Sequence, residues 1–248
     1  MINFQQFIQY GDTAMIPLLE SPDFGDIVTT NKSDNSPVTQ WDIWVNNAVY
    51  SSLGSSQLPI LSEESLVEYE ERKDWETYWM LDPIDGTREL IAGSGQFCTC
   101  LALISEGIPV AGWILDFRTR SLYRGGASLS FAKWDGLDWI NQQPSVDKPR
   151  FFVSNHYRSK ADLNLYEEQK NQIPEMVTEP LGSALKFLEC AKQQNGYYER
   201  TGRIMEWDVA AGLAICSSVG KKVVSLAGEN LVFNKEIPDV RGFRMVKK

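Results

Sequence analysis

The sequence predicts a layered α+β and α/β chain: N-terminal helices with an antiparallel sheet, then a mixed sheet flanked by helices. Three observations predict it. Apolar residues recur with helical spacing over 3–20 and 40–53. Short strand-like runs separated by turn signals fill 97–134. From Arg150 onward, strands and helices alternate. The polar stretch 134–148 sets a subdomain boundary, giving an N-terminal α+β subdomain over 1–145 and a C-terminal α/β subdomain over 146–248.

Phe4, Phe7, Ile8, Ala14, Met15, Leu18 and Leu19 place the opening helix. Thr29 to Thr39 is too rich in Ser, Asn and Asp for a core and reads as a mobile loop. The next helix, Gln40 to Leu53, carries Asp42 in its first turn, where an acid complements the helix dipole; taken alone, that capping role outweighs a catalytic one. Pro59 to Ser65 is a short apolar strand ending in Glu63-Glu64, a pair that by itself reads as solvated loop, and 66–77 is a charged connection.

Tyr78 to Leu81 reads as a buried strand that stops at Asp82-Pro83, because proline has no N–H to give a ladder. The chain turns through Asp85-Gly86, and Thr87 opens a helical run. Two carboxylates, the Ile84 carbonyl and the Thr87 hydroxyl therefore converge where a strand hands over to a helix N-terminus. Hard divalent cations take such oxygen ligands, and Mg²⁺ is usually held by one or two carboxylates, waters and substrate phosphate. The N–H groups of Gly86 and Thr87 favour an anion beside it. The competing reading is an Asp-Gly surface turn after a solvated strand end.

Strands follow at Phe97–Ile104, Pro109–Leu115, Ser121–Arg124 and Leu129–Trp134, an antiparallel meander. In the second half, strands at 150–154, 176–179, 197–200 and 222–226 alternate with helices at 160–172, 182–194 and 206–219. Asp208 lies in the first turn of the last helix, ahead of Val209-Ala210-Ala211-Gly212, small residues that let another element approach closely. On its own it reads as an N-terminal acid of a buried helix.

Composition bounds the function. With 43% hydrophobic and 23% charged residues in 248, the chain is ordinary globular material. Thirty-three acidic against 24 basic side chains, formal charge −9, argue against a nucleic-acid polymer as partner. A small anion would need a bound metal and a few local cations. The N-terminus lacks a basic start and an uninterrupted apolar core, and no apolar run of transmembrane length appears, so a cytoplasmic protein is expected. Cys98, Cys100, Cys190 and Cys216 read as free buried thiols, since the paired Cys-x₂-Cys spacing of zinc sites is absent; Cys98 and Cys100 point to one strand face.

Ser62-Glu63-Glu64, Asp82-Pro83-Ile84-Asp85-Gly86-Thr87 and Trp207-Asp208-Val209-Ala210-Ala211-Gly212, in this order and at these separations, resemble the motifs of the inositol monophosphatase superfamily of Mg²⁺-dependent, lithium-sensitive phosphatases. Within it, Asp34-Asn35-Ser36-Pro37-Val38-Thr39 with Asp42, Gly182 to Phe187, and Tyr198 with Arg200 resemble the 3′(2′),5′-bisphosphate nucleotidase branch.

The resemblance implies a sugar-phosphatase-like fold and two or three Mg²⁺ held by Glu63, Asp82, the Ile84 carbonyl, Asp85 and Asp208. It implies that Thr87 with Asp42 orients and deprotonates the attacking water, Glu63 belonging to the same catalytic group. Gly86, Thr87 and Asp208 would meet the substrate, and Ser183, Lys186 and Arg200 would grip the nucleotide and its uncleaved phosphate. His156, the sole histidine, resembles a nucleotide-contacting residue of the branch, with a structural role as the alternative. Trp41 and Trp44 stand where small residues are usual, and Glu199 replaces a proline before Arg200; both bear on substrate fit.

The implied reaction takes adenosine 3′,5′-bisphosphate to AMP by direct attack of metal-activated water. Four carboxylates bring about −4 against about +4 to +6 from two or three Mg²⁺, so only the metal-filled site accepts a phosphate dianion. No Gly-x-Ser-x-Gly or Cys-His-Asp set supports a covalent nucleophile. The rival readings are an inositol monophosphate or sugar bisphosphate phosphatase on the same scaffold, and a regulatory protein that binds without turnover.

Overall fold

The computed structural model describes residues 4–21, 24–25, 27–31, 36–155 and 159–247. Helix α1 (Phe4–Met15) buries Gly11, Ala14 and Met15 and passes into a 3₁₀ turn, Ile16–Glu20, with Pro17 at its start. Gly11 is required by contact. A Cβ there would stand 2.4 Å from the Trp113 indole, whose Nε1 donates to Asp12 of the same helix at 2.8 Å.

The stretch 29–39, expected as loop, instead closes at both ends into an antiparallel ribbon of β1 (Thr29–Asn31) and β2 (Pro37–Thr39), Thr29 opposite Thr39. Pairing of Thr and Val residues wins locally over the polar composition. Its tip, including Asp34 and Asn35, lies outside the described residues. Helix α2 (Gln40–Leu53) has the expected bounds because Thr39 and Asp42 form a reciprocal capping box. Trp41 is absorbed into an aromatic cluster, edge-on to Phe24 and Trp44.

β3 (Ile60–Ser62) is followed by the short helix α3 (Tyr69–Arg72) and by β4 (Thr77–Asp85). β4 does not stop at Pro83, as the missing N–H suggested. Its register against the next strand pairs Asp82 with Cys100 and Asp85 with Cys98, three steps on one strand against two on the other. The extra residue makes a bulge, which carries Pro83 without a broken ladder bond. The Pro83 carbonyl accepts from Thr99 Oγ1 at 2.7 Å.

After α4 (Thr87–Ile91) come β5 (Cys98–Ser105), β6 (Ile108–Asp116), β7 (Ser121–Gly126), β8 (Leu129–Trp134) and β9 (Trp139–Asn141). They form the expected meander, with β9 as one further strand. The seven-stranded sheet runs β3-β4-β5-β6-β7-β8-β9; β3 is parallel to β4 and the other pairs are antiparallel.

In the second half lie β10 (Arg150–Val153), α5 (Lys160–Gln172), β11 (Val177–Pro180), α6 (Leu185–Lys192), β12 (Gly196–Tyr197), β13 (Arg200–Met205), α7 (Trp207–Ser218), β14 (Lys221–Val224) and β15 (Asp239–Lys247). The helix–strand alternation is as expected. The strands divide between a parallel sheet, β11-β10-β12, and an antiparallel one, β13-β15-β14. The run 197–200 is split between them, and β15 was not foreseen. Among the described residues no helix is long and apolar enough to cross a membrane.

The large sheet is covered on both faces, and its strand residues alternate between two cores. Trp79, Leu81, Leu101, Leu103 and Trp113 pack with α1 and α2. Tyr78, Met80, Cys98, Cys100, Ala102 and Ile114 pack with α6 and α7. Burial on both faces explains why β4 and β5 read as nearly continuous apolar runs.

Small residues let α7 sit directly on the sheet. A Cβ at Gly112 would stand 2.4 Å from the Ala211 carbonyl oxygen, and one at Gly125 3.2 Å from Ile215 Cα. A Cβ at Gly212, on the other side of α7, would meet the Phe187 ring at 2.4 Å. Gly112→Ala is therefore expected to push α7 off the sheet and destabilise the protein by about 1–3 kcal/mol. Thermal melting should show a fall of about 2–4 °C per kcal/mol, while Gly54→Ala, where a Cβ meets nothing within 4 Å, leaves the midpoint unchanged or slightly raised.

Candidate active site

An open cleft of about 870 Å³ lies where the ends of β3 and β4 meet α4, α7 and the turn before α6. Glu63, Asp82, Ile84, Asp85, Gly86, Thr87 and Asp208 line it, together with Ser183, Lys186 and Arg200 from the second half of the chain. Asp42 stands behind Thr87. His156 lies outside the described residues.

Glu63, Asp82 and Asp208 come from three separate elements, yet each offers a carboxylate oxygen within 4.8 Å of the others. Asp82 is buried, and its Oδ1 has no hydrogen-bond partner. Burial, then the carboxylates of Glu63, Asp85 and Asp208, push its pKa well above the usual range. Asp208 is raised by burial and by Asp85 and Glu63, against a hydrogen bond from Met205 N. Burial raises Asp85 to about 6, offset by the Lys186 ammonium and by the Ala184 N–H, which donates to its Oδ2.

An orphaned carboxylate oxygen amid like charges is costly unless something positive faces it. The donor set is all oxygen, three carboxylates with Asp85 and the Ile84 carbonyl beside them, and it fits a hard divalent cation.

Gly86 has φ +98°, and a Cβ there would lie 3.2 Å from the Gln96 carbonyl oxygen, so glycine is needed for β4 to turn into α4. Thr87 Oγ1 lies 3.2 Å from Asp42 Oδ1 and 3.1 Å from the Ile84 oxygen. One hydroxyl hydrogen serves one of these at a time. Asp42 Oδ2 accepts from Thr39 N at 2.7 Å and from Thr39 Oγ1 at 2.6 Å. The helix cap and the site thus use different oxygens of one carboxylate, so the two readings of Asp42 are compatible.

The opposite wall is a turn with Ser183 at φ +52°. Lys186 is buried; its Nζ donates to the carbonyls of Ser183 at 2.6 Å and Leu181 at 3.2 Å and lies 5.0 Å over the Tyr198 ring. Arg200 donates through Nε to the Gly202 oxygen, through Nη1 to Ser154 Oγ and through Nη2 to the Arg203 oxygen. Glu199 turns towards Gln169 and Arg244, and burial raises its carboxyl to about 7.

Sequence reasoning missed Gln96, whose Oε1 accepts from Gly182 N and from Asn155 Nδ2, both at 2.8 Å. It ties the turn before α6 to the loop after α4. The only signal was Gly93-Ser94-Gly95 ahead of it, which marks a tight loop without naming its contact.

A cleft floored by clustered acids, with a hydroxyl–carboxylate pair on its wall, has the donor set that a metal-dependent phosphatase requires. The sequence profile of the inositol monophosphatase family matches residues 14–242, and the chain belongs to that family. The 3′(2′),5′-bisphosphate nucleotidase CysQ of Shigella flexneri is 34% identical over 208 residues, 83% of this chain and 82% of that one. The crystal structure of CysQ from Bacteroides thetaiotaomicron superposes with TM-score 0.84 at 26% identity, over 99% of this chain and 98% of the other. An inositol monophosphatase/NADP phosphatase complexed with Mg²⁺ and phosphate shares the fold, with TM-score 0.69 and 18% identity over 97% of this chain and 88% of the other.

The raised carboxyl pKa values set a pH dependence. Each of these acids holds its proton more tightly folded than unfolded, where 3.8 is ordinary. Their contribution to metal-free stability is full below about pH 4 and is lost as pH rises through the folded values, about 6 for Asp85. The melting-point gain on adding Mg²⁺ should therefore grow from pH 4 to pH 7. Asp82→Asn should raise the metal-free midpoint above wild type at pH 7 and remove most of the Mg²⁺ gain, as read by calorimetry in chelator and in Mg²⁺.

Proposed function

We propose that this phosphatase hydrolyses adenosine 3′,5′-bisphosphate to AMP and phosphate, with Mg²⁺ held by Glu63, Asp82, the Ile84 carbonyl, Asp85 and Asp208. Two ions would balance the four carboxylates in charge, and a third would leave the site positive. The observation that carries the reading is the convergence of Glu63, Asp82 and Asp208 around an unpartnered Asp82 oxygen on the floor of an open cleft. The Mg²⁺ supplies charge neutralisation and acidifies water at the site.

The chain's own groups supply position and proton transfer. Thr87 Oγ1 and Asp42 Oδ1 form a relay at the mouth of α4; Thr87 orients the attacking water and passes its proton towards Asp42. Glu63 belongs to the same catalytic group. The backbone at Gly86 and Thr87, with the side of Asp208, frames the phosphate to be cleaved. Attack in line on phosphorus breaks the bond to the ribose 3′-oxygen, with no covalent enzyme intermediate.

The far wall supports a nucleotide bisphosphate over a monophosphate. Arg200 presents a planar guanidinium whose orientation is fixed by three neighbours, a geometry suited to a second phosphate. Ser183 faces the sugar. Lys186 adds positive charge from beneath, while its bonds to Leu181 and Ser183 also brace the turn. The nucleotidase name of the Shigella flexneri relative agrees with this assignment.

Phosphate release from adenosine 3′,5′-bisphosphate, inositol 1-phosphate and fructose 1,6-bisphosphate tests the reading, with the highest kcat/KM expected for the first. Arg200→Ala should raise KM for adenosine 3′,5′-bisphosphate by about 10–100-fold, the loss of one hydrogen-bonded charge contact, with little change for inositol 1-phosphate. Equal effects on both, or a preference for inositol 1-phosphate, would reject the nucleotide assignment. Thr87→Val, which keeps the shape and removes the hydroxyl, should lower kcat by about 10²–10⁴ with KM nearly unchanged.

A further inference from the structure

Directly behind the acidic floor lies a second donor set of different character. The bulge in β4 sets Asp82 opposite Cys100 and Asp85 opposite Cys98. Cys98 and Cys100 are both buried on the face of β5 that looks towards α6, and their sulfurs lie 3.7 Å apart. A carboxylate oxygen of Asp85 falls within 4.8 Å of both. Cys98 Sγ also reaches Ser183 Oγ, 3.5 Å away on the cleft wall.

We propose that Cys98, Cys100 and Asp85 form a site for a soft divalent cation of the Zn²⁺ class, and that filling it antagonises Mg²⁺ by withdrawing Asp85.

Two thiolates on one tetrahedral Zn²⁺, each at about 2.3 Å, stand about 3.7–3.8 Å apart, so the sulfur spacing already suits the ion. Thiolates select soft cations over Mg²⁺, which separates this site from the all-oxygen floor. Three protein ligands would leave a fourth position for water or another donor, and Ser183, 3.5 Å from Cys98 Sγ, lines the cleft that would admit the ion. The spacing Cys-x-Cys lacks the usual zinc signature because the third ligand comes from the neighbouring strand.

Binding replaces two S–H bonds by two sulfur–metal bonds, and the protons pass to solvent; no electron is transferred. Asp85 then serves the soft ion. Because Mg²⁺ and the soft ion compete for one carboxylate, each weakens the other by the same factor.

The test uses the full-length protein, stripped of metal with chelator and titrated with Cd²⁺. A thiolate-to-metal ultraviolet band equivalent to two sulfurs is expected at one equivalent of Cd²⁺. It should be lost in Cys100→Ala and in Cys98→Ser and kept in Cys190→Ala and Cys216→Ala, with folding checked by circular dichroism. Absence of the band in wild type, or its persistence in the properly folded Cys100→Ala protein, overturns the site.

A second arm measures phosphate release in Mg²⁺ with added Zn²⁺. Cys100→Ala should keep its basal rate and need at least about tenfold more Zn²⁺ for half-inhibition, since even outer partners of a metal contribute 10–100-fold. Equal Zn²⁺ sensitivity in the two proteins overturns the antagonism. The spectroscopic arm needs no substrate, so its failure is distinct from a failure of the nucleotidase reading, on which only the inhibition arm rests.

Discussion

The structure depends on holding like charges together. Glu63, Asp82, Asp85 and Asp208 repel one another, and part of Asp82 is sealed from water. Side chains free to relax would swing into solvent. They remain because each is mounted on a rigid element: Glu63 just past the parallel edge strand β3, Asp82 and Asp85 on the two flanks of a bulge, Asp208 on the first turn of a helix pressed into a glycine-lined bed. Folding places the acids, and a bound cation is what would relieve them.

The start of α7 shows how that placement is secured. Glu206, fully buried, accepts from Asn234 N at 2.9 Å and Lys235 N at 3.4 Å, and its own N–H donates to the Pro238 carbonyl. Asn234 is in turn clasped by Arg72, which receives a bond from Asn234 Nδ2 and returns one to Asn234 Oδ1. The helix end that carries Asp208 is thus tied to the C-terminal segment and to α3. These polar groups are buried and paired with each other, which fixes one arrangement of the segment.

Two side chains serve structure and site together. Asp42 divides its oxygens between the cap of α2 and the Thr87 hydroxyl, so the entry angle of α2 and the position of that hydroxyl are set by the same group. Lys186 is both the internal counter-charge of Asp85 and the brace of the turn that gives Asp85 its backbone donor. Such sharing explains why single residues here resist assignment to stability or catalysis alone.

Local chemistry made much of this legible in the sequence. Helix α2 follows from Thr39 and Asp42, α5 from Ser159 and Asp162, and the meander from apolar runs between turn residues, because caps, turns and periodicity act over a few residues. The acids could be picked out by motif. The tertiary structure alone decided that β4 runs through Pro83 in a bulge, that the polar ribbon at 29–39 pairs at its ends, that Gln96 latches the far wall, and that Asp85 lies beside two sulfurs as well as three acids. Each of these depends on what stands across a strand pair or a packed helix, distances in space that spacing along the chain does not encode.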